Sequence, residues 1–311
     1  MMKKREFLIK AIQYISRNIR YFNVVNSNII ALAERERCYR KLKRKYRKIL
    51  INDEPIINDE KIIEKSDKIW ICWFQGIENA PELVKACYNS VLKNYKDKEI
   101  IVLTEENYEQ YVDIPEYILK KWKKGYITFA HFSDILRIEL LSKYGGLWLD
   151  STIFTTKRSE LVFNENIELF VYKQVDLDRK NPLSIVASSW LMYSNKNNNI
   201  INLTKKLLHE YWKNYNHIIN YNLIHLFFTL STEVYKDEWN KVPTFNNISP
   251  HILQFELCEE FNDKRFEQIK NMSDFHKLNW RIESENKNSF YNYIVDNYKN
   301  DIKNIRGKNN D

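Results

Sequence analysis

The chain has 311 residues, 44% of them hydrophobic and 14% aromatic, which is enough apolar material for one large domain or two ordinary ones with a true core. Five Gly and six Pro leave no flexible Gly/Pro linker, and the absence of an apolar run of about eighteen residues argues against a transmembrane helix. The net charge of +8 is unevenly spread: residues 1–50 carry fifteen Lys and Arg against three Glu, a balance of +12, so residues 51–311 sum to −4.

The basic arm reads as helical. Leu8, Ile12, Ile15, Ile19 and Phe22 form an apolar stripe beside Lys3, Lys4, Arg5, Lys10, Arg17 and Arg20. A second helix, about 28 to 50, carries RKLKRKYRK from Arg40 to Lys48. The start lacks the uninterrupted apolar core of a secretory signal. Two readings of the arm stand. Its charge suits an anionic membrane face, at ~1 kcal/mol per Lys or Arg near the surface. Alternatively, the helices pack on the body of the protein or on a second subunit, with their charges in solvent. The 40–48 cluster also fits the electrostatic footprint of a nucleic-acid binder.

Residues 68–76, KIWICWFQG, form a near-continuous apolar run whose length suits a buried first strand. Ala80 and Pro81 open a helix with Leu83, Val84, Cys87, Val91 and Leu92 on one stripe, and KEIIVLT (98–104) reads as the second strand. Residues 128–154, TFAHFSDILRIELLSKYGGLWLDSTIF, are the most informative stretch. Thr128 is placed to cap a helix through its hydroxyl. Phe132, Ile135, Leu136 and Leu140 give that helix a core face, while His131, Asp134 and Arg137 fall at i, i+3 and i+6 on another edge. Gly145 and Gly146 stop it, since glycine takes the left-handed conformation at little cost. Leu147, Trp148 and Leu149 form a short buried strand with Asp150 at its mouth. In parallel α/β sheets the carboxyl ends of strands open onto the ligand crevice. By themselves Asp134 and Arg137 also read as a surface ion pair worth only ~0.5 kcal/mol.

Taken together, S-D-x-x-R, a helix, Tyr-Gly-Gly, an apolar run and Asp resemble glycosyltransferase family 32, and most closely the bacterial capsular polysaccharide synthesis proteins within that group. The glucosylating domains of large clostridial toxins share the pattern more distantly. The resemblance runs from about Lys68 to Trp280. It implies an α/β chain of GT-A type, with a mainly parallel sheet and a nucleotide-binding site of the DxD kind. It also implies that Asp134 and Arg137 meet the ribose and sugar hydroxyls, that Asp150 meets ribose, diphosphate and a divalent metal (Mn or Mg), and that Trp73 lies against the base. Trp73 as ordinary core is the alternative. A full DxD would place a second acid at 152, where this chain has Thr152. One carboxylate and a hydroxyl make a poorer site for a hard cation, so the charge is balanced either by metal with other ligands or by basic side chains.

Downstream, ELFVYK (168–173) and SIVASSWLMYS (184–194) read as strands, and 199–213 as a helix with Ile200, Leu203, Leu207, Leu208 and Tyr211 on one face. His225, in YNLIHLFF, reads as a core group in preference to a catalytic one. FHKLNW (275–280) sits where the resemblance implies a basic residue on the diphosphate, and His276 and Lys277 are the candidates. A lysine ammonium there would partly offset the acid missing at 152, unless it is simply solvated. Cys38, Cys72, Cys87 and Cys258 have no metal spacing and read as free thiols of a reducing compartment.

The expected organisation is a basic helical extension over 1–66, a GT-A domain over 67–285, and a C-terminal helix with a polar tail over 286–311. The expected activity is hexosyl transfer, with retention, from a nucleoside diphosphate sugar such as a UDP-sugar to a capsular or surface glycan or lipid-linked acceptor. The expected place is the cytoplasm, with peripheral contact at the inner membrane face, and an oligomer through the N-terminal helices is left open. The rivals are a catalytically silent sugar-nucleotide-binding assembly subunit and a nucleic-acid binder acting through residues 1–50.

Overall fold

The computed structural model describes residues 27–56, 65–164, 166–175 and 184–298. The expected stripe from Leu8 to Phe22 and the polar tail beyond 298 lie outside the described residues.

Two helices come first, α1 (Ser27–Lys45) and α2 (Arg47–Ile51). Cys38, Tyr39, Leu42 and Tyr46 are buried, whereas Lys41, Arg44, Lys45, Arg47 and Lys48 are exposed. The apolar face of α1 is therefore used against the body of the protein, with its charges turned to solvent. Tyr46 packs edge-on against Phe227, the ring centroids 5.4 Å apart.

Next come β1 (Lys68–Cys72), α3 (Glu82–Asn94), β2 (Glu99–Leu103), α4 (Glu116–Lys123), α5 (Phe129–Tyr144) and β3 (Gly146–Asp150). β1 and β2 are shorter than the runs 68–76 and 98–104 that announced them, whereas β3 extends the expected Leu147–Leu149 by one residue at each end. After β4 (Ile153–Thr155), β5 (Leu169–Lys173) and β6 (Ala187–Ser194), the helices α6 (Asn199–Asn214) and α7 (Leu223–Val234) follow. The main sheet has the order β2-β1-β3-β6-β5. β1 pairs in parallel with both β2 and β3, β6 is antiparallel to β3, and β5 is antiparallel to β6. Four of the five strands thus point the same way, as expected for a mainly parallel sheet.

The period-two alternation of the strands assigns the two faces. Trp70, Trp148 and Met192 join one buried cluster with Phe132, Leu136, Leu207 and Phe227 from α5, α6 and α7. Ile69, Ile71, Leu147, Leu149 and Leu191 join another, with Val91 of α3 and Tyr95 just beyond it. Helices on both faces explain why β1 and β3 are apolar at every inner position.

α5 begins and ends as its sequence dictates. The Thr128 hydroxyl accepts from the His131 amide, a cap worth about 1 kcal/mol. Gly145 and Gly146 have φ of +67° and +96°, and a Cβ at Gly145 would lie 2.7 Å from the Ser194 carbonyl oxygen. The two glycines let the chain reverse from α5 into β3 while β6 passes at close range.

The C-terminal part adds α8 (Lys236–Lys241), α9 (Ile252–Phe255), α10 (Asp263–Met272), β7 (Phe275–Lys277) and α11 (Phe290–Tyr298). β7 pairs antiparallel with β4, forming a small ribbon beside the main sheet. Phe290 and Ile294 of α11 are buried with Leu83 and Cys87 of α3. The apolar core is therefore continuous across the expected boundaries at 66 and 286.

Candidate active site

Cys72, the last residue of β1, lies in register with Asp150, the last of β3. Two neighbouring parallel strands therefore end side by side, and a cavity of about 350 Å³ opens there. This is within the lower part of the size range of small-molecule pockets. Its wall includes Trp73, Asp134, Arg137, Asp150, Thr152 and Lys277.

These side chains form one connected ionic chain. Asp134 and Arg137 are one turn apart on α5, with Arg137 Nη1 3.2 Å from Asp134 Oδ1. Arg137 Nη2 donates to Asp150 Oδ1 at 3.0 Å, and Trp148 Nε1 donates to the same oxygen at 3.1 Å. The guanidinium lies over the Trp148 ring, 4.8 Å from its centroid, an added cation–π attraction. Lys277 Nζ stands 3.2 Å from Asp150 Oδ2 and donates to Thr152 Oγ1 at 2.6 Å. His131 Nδ1 lies 3.5 Å from the outer oxygen of Asp134.

The energetics of Asp150 are decided by a contest. Burial raises the pKa of its carboxyl, but Lys277 and Arg137, helped by the Trp148 hydrogen bond, outweigh burial and hold it below the ordinary carboxylate range. The group is therefore an anion at neutral pH. Its side chain is still 28% exposed, so it faces the cavity.

Ligand-binding features flank this chain on both sides. Trp73 lies on the cavity wall, edge-on to Trp280 at 6.0 Å between centroids. Its indole Nε1–H is buried without a hydrogen-bond partner. On the opposite side His225 also borders the cavity, and its Nδ1 is likewise buried and unpartnered. Burial lowers its pKa to about 4, against an opposing pull from Asp134, so the ring is neutral at pH 7. Tyr221 and Phe129, 70% and 55% exposed, stand at the mouth.

The family model for capsular polysaccharide synthesis proteins matches residues 18–294. The chain belongs to the capsular polysaccharide synthesis family. No curated protein matches it. Among solved structures it is similar to one titled PaToxG Glycosyltransferase, at 15% identity and a TM-score of 0.38, over 76% of this chain and 95% of that one. A likeness that slight carries no argument, and the site rests on its own geometry.

Of the residues that the sequence singles out in this family member, Trp73, Asp134, Arg137, Asp150 and Lys277 are brought together. His276 is not. It is wholly buried beside Phe154, with ring centroids 6.4 Å apart, and burial pulls its pKa down to about 3. An uncharged ring behind the β4–β7 ribbon cannot meet a phosphate in the cavity. His225 departs from its reading as a core group, because its ring is part of the cavity wall. Trp280, Tyr221 and Phe129 were not singled out. Only Trp280 had a local signal, three residues after Lys277.

The expected divalent metal can be tested against the donors. Both Asp150 oxygens already face cations or an N–H, and the hydroxyl of Thr152 accepts from Lys277. Among the described residues no group of three or more His, Cys, Asp or Glu is arranged to hold a metal ion. A hard dication seeks several free oxygen ligands, so this donor set fits one poorly.

Proposed function

We propose that this capsular polysaccharide synthesis protein is a glycosyltransferase of GT-A type that moves a hexose from a UDP-sugar to a capsular or surface glycan, with retention at the anomeric carbon. The observation that carries the reading is the ionic chain Asp134–Arg137–Asp150–Lys277 on the wall of one cavity, at the ends of two parallel strands. Such a wall offers alternating charge to a ligand that is itself polar and anionic. The family is one of polysaccharide synthesis.

In this reading Trp73 lies against the base, and its free N–H is available to a ligand. Asp134 holds ribose and sugar hydroxyls, Arg137 spans the sugar hydroxyls and the diphosphate, and Asp150 keeps Arg137 and Lys277 in place. The bond between the anomeric carbon and the β-phosphate oxygen breaks, and its electron pair stays on that oxygen. The acceptor hydroxyl oxygen forms the new bond to the anomeric carbon and releases its proton to water. Charge grows on the diphosphate, so fixed positive groups nearby lower the barrier. Holding both reactants in one cavity supplies the rest through orientation.

Membrane contact, if this enzyme works on a lipid-linked acceptor, is electrostatic. The apolar face of α1 is buried, which leaves Lys41, Arg44, Lys45, Arg47 and Lys48 for an anionic surface. Among the described residues no helix is long and apolar enough to cross a membrane.

The test is titration of purified protein with a panel of nucleotide sugars, following both binding and release of free nucleotide. Binding of one UDP-sugar with slow hydrolysis is expected. Binding without turnover on any glycan acceptor would favour a silent sugar-nucleotide-binding subunit, and no binding at all would sink the transferase reading.

A further inference from the structure

We infer that this site stabilises its leaving diphosphate with two fixed side-chain cations, Lys277 and Arg137, in the position that a divalent ion takes in a DxD-type site, and that it therefore needs no bound metal. The inference rests on the nucleotide-sugar reading above and deepens it.

Three observations support it. The first is where Lys277 is held. It ends β7, directly opposite Ile153 of β4, and the amide of the next residue, Leu278, donates to the Thr152 carbonyl oxygen at 3.0 Å. The ammonium is thus fixed by strand pairing to the segment that begins at Asp150. The second is what Lys277 touches. Its Nζ bridges Thr152 Oγ1 and Asp150 Oδ2, the two side chains at the ends of D-S-T. In D-x-D both ends are acids that repel one another until a dication joins them. Here one end is a neutral hydroxyl, and a single ammonium joins the two. The third is charge balance. Asp134 and Asp150 are matched by Arg137 and Lys277, so these four side chains balance one another. A dication on Asp150 would have to displace Lys277 or stand beside it, and like charges at contact range in a partly buried site repel strongly.

Neutrality also explains how the wall would respond to substrate. The cations are held by carboxylates before the ligand arrives, so they need not reorganise when charge develops. When the electron pair of the breaking bond settles on the phosphate oxygen, that charge meets an ammonium and a guanidinium already in place. An Arg fork and a Lys point charge are the two side-chain devices that bind phosphate without metal.

The experiment uses the full chain, dialysed against EDTA, with UDP as the probe and calorimetry as the readout. UDP is expected to bind with a similar Kd in EDTA and in excess Mn²⁺, and electron paramagnetic resonance is expected to show the added Mn²⁺ free in solution. Lys277→Met should weaken UDP by about tenfold or more, while leaving uridine unchanged, because only the diphosphate meets the ammonium. Lys277→Arg should recover part of the loss. A purely structural Lys277 would weaken both probes alike or neither, and that result would overturn the inference. UDP binding that requires Mn²⁺, with a bound Mn²⁺ signal, would overturn it while leaving the nucleotide-sugar reading intact. Failure to bind UDP in either condition would remove both.

Discussion

Helix α5 carries two buried ionic clusters that make an instructive pair. On one edge Arg137 joins Asp134 and, through Asp150 of β3, Lys277 of β7. Two residues further along, Glu139 is 6% exposed and binds His209 and Lys205, the latter at 3.0 Å. Burial pushes the Glu139 carboxyl up, yet its two partners outweigh burial and leave its pKa lowered, as happens at Asp150. Charge, burial and pKa direction therefore do not separate the two. Convergence does. The partners of Glu139 both come from α6, four residues apart on one face, and fasten one helix to another. The partners of Asp150 come from three elements and meet on the wall of a cavity. A perturbed carboxylate is a candidate for function only when it also faces space that a ligand can occupy.

That contrast predicts a double dissociation. Asp150→Asn keeps the shape of the residue but loosens Arg137 and Lys277 together. Turnover of a bound nucleotide sugar should fall by about a hundredfold or more, while chemical denaturation should show a stability change within about 2 kcal/mol. Normal turnover in this variant would remove Asp150 from the machinery. Glu139→Ala should do the reverse. It leaves Lys205 without its anion and His209 without its carboxylate partner, but these side chains are 33% and 23% exposed and can turn to water, so the loss should stay below the ~3–5 kcal/mol of a broken buried pair, at about 1–3 kcal/mol. Its UDP affinity should match that of the parent chain. A Glu139→Ala protein of full stability with weakened UDP binding would abolish the distinction.

The local half of the site was legible because it is written in local periods. Helix spacing over 129–144, the Gly-Gly stop and the short apolar run Leu147–Leu149 place Asp134, Arg137 and Asp150 without knowledge of the rest of the chain. The other half depends on pairings that the sequence does not announce. Lys277 reaches Thr152 across 125 positions through the β4–β7 ribbon, and His225 and Tyr221 arrive with α7 from the other side. His276 and Lys277 show the limit plainly. In a strand, adjacent side chains face opposite ways, so one of any such pair meets the cavity and its neighbour the core. Which one depends on register, and register is set by the partner strand. The second N-terminal helix was ambiguous for a related reason: its sequence announces a basic cluster, and only the tertiary structure shows that Cys38, Leu42 and Tyr46 beside that cluster are buried, with Tyr46 packed on Phe227 of α7.

The two histidines on either side of that limit give the smallest and sharpest test. His225 borders the cavity and His276 is sealed from it, yet burial lowers both, to about 4 and about 3. For a histidine the lowered folded value means that the native state favours the neutral ring. Between about pH 4 and the unfolded value of 6.5, the unfolded chain binds protons that the folded chain refuses, so stability falls as the pH drops. Above 6.5 neither ring contributes to the pH dependence. The slope approaches about 1.4 kcal/mol per pH unit for each histidine. His276→Leu removes one of these protons and nothing from the cavity. Urea denaturation at pH 7 and pH 5 should show its stability, relative to the parent chain, improving by about 2 kcal/mol on acidification, with UDP affinity unchanged at both values. If His276→Leu keeps the full acid sensitivity of the parent, the ring is solvated in the folded protein, and the argument that it faces away from the ligand fails with it.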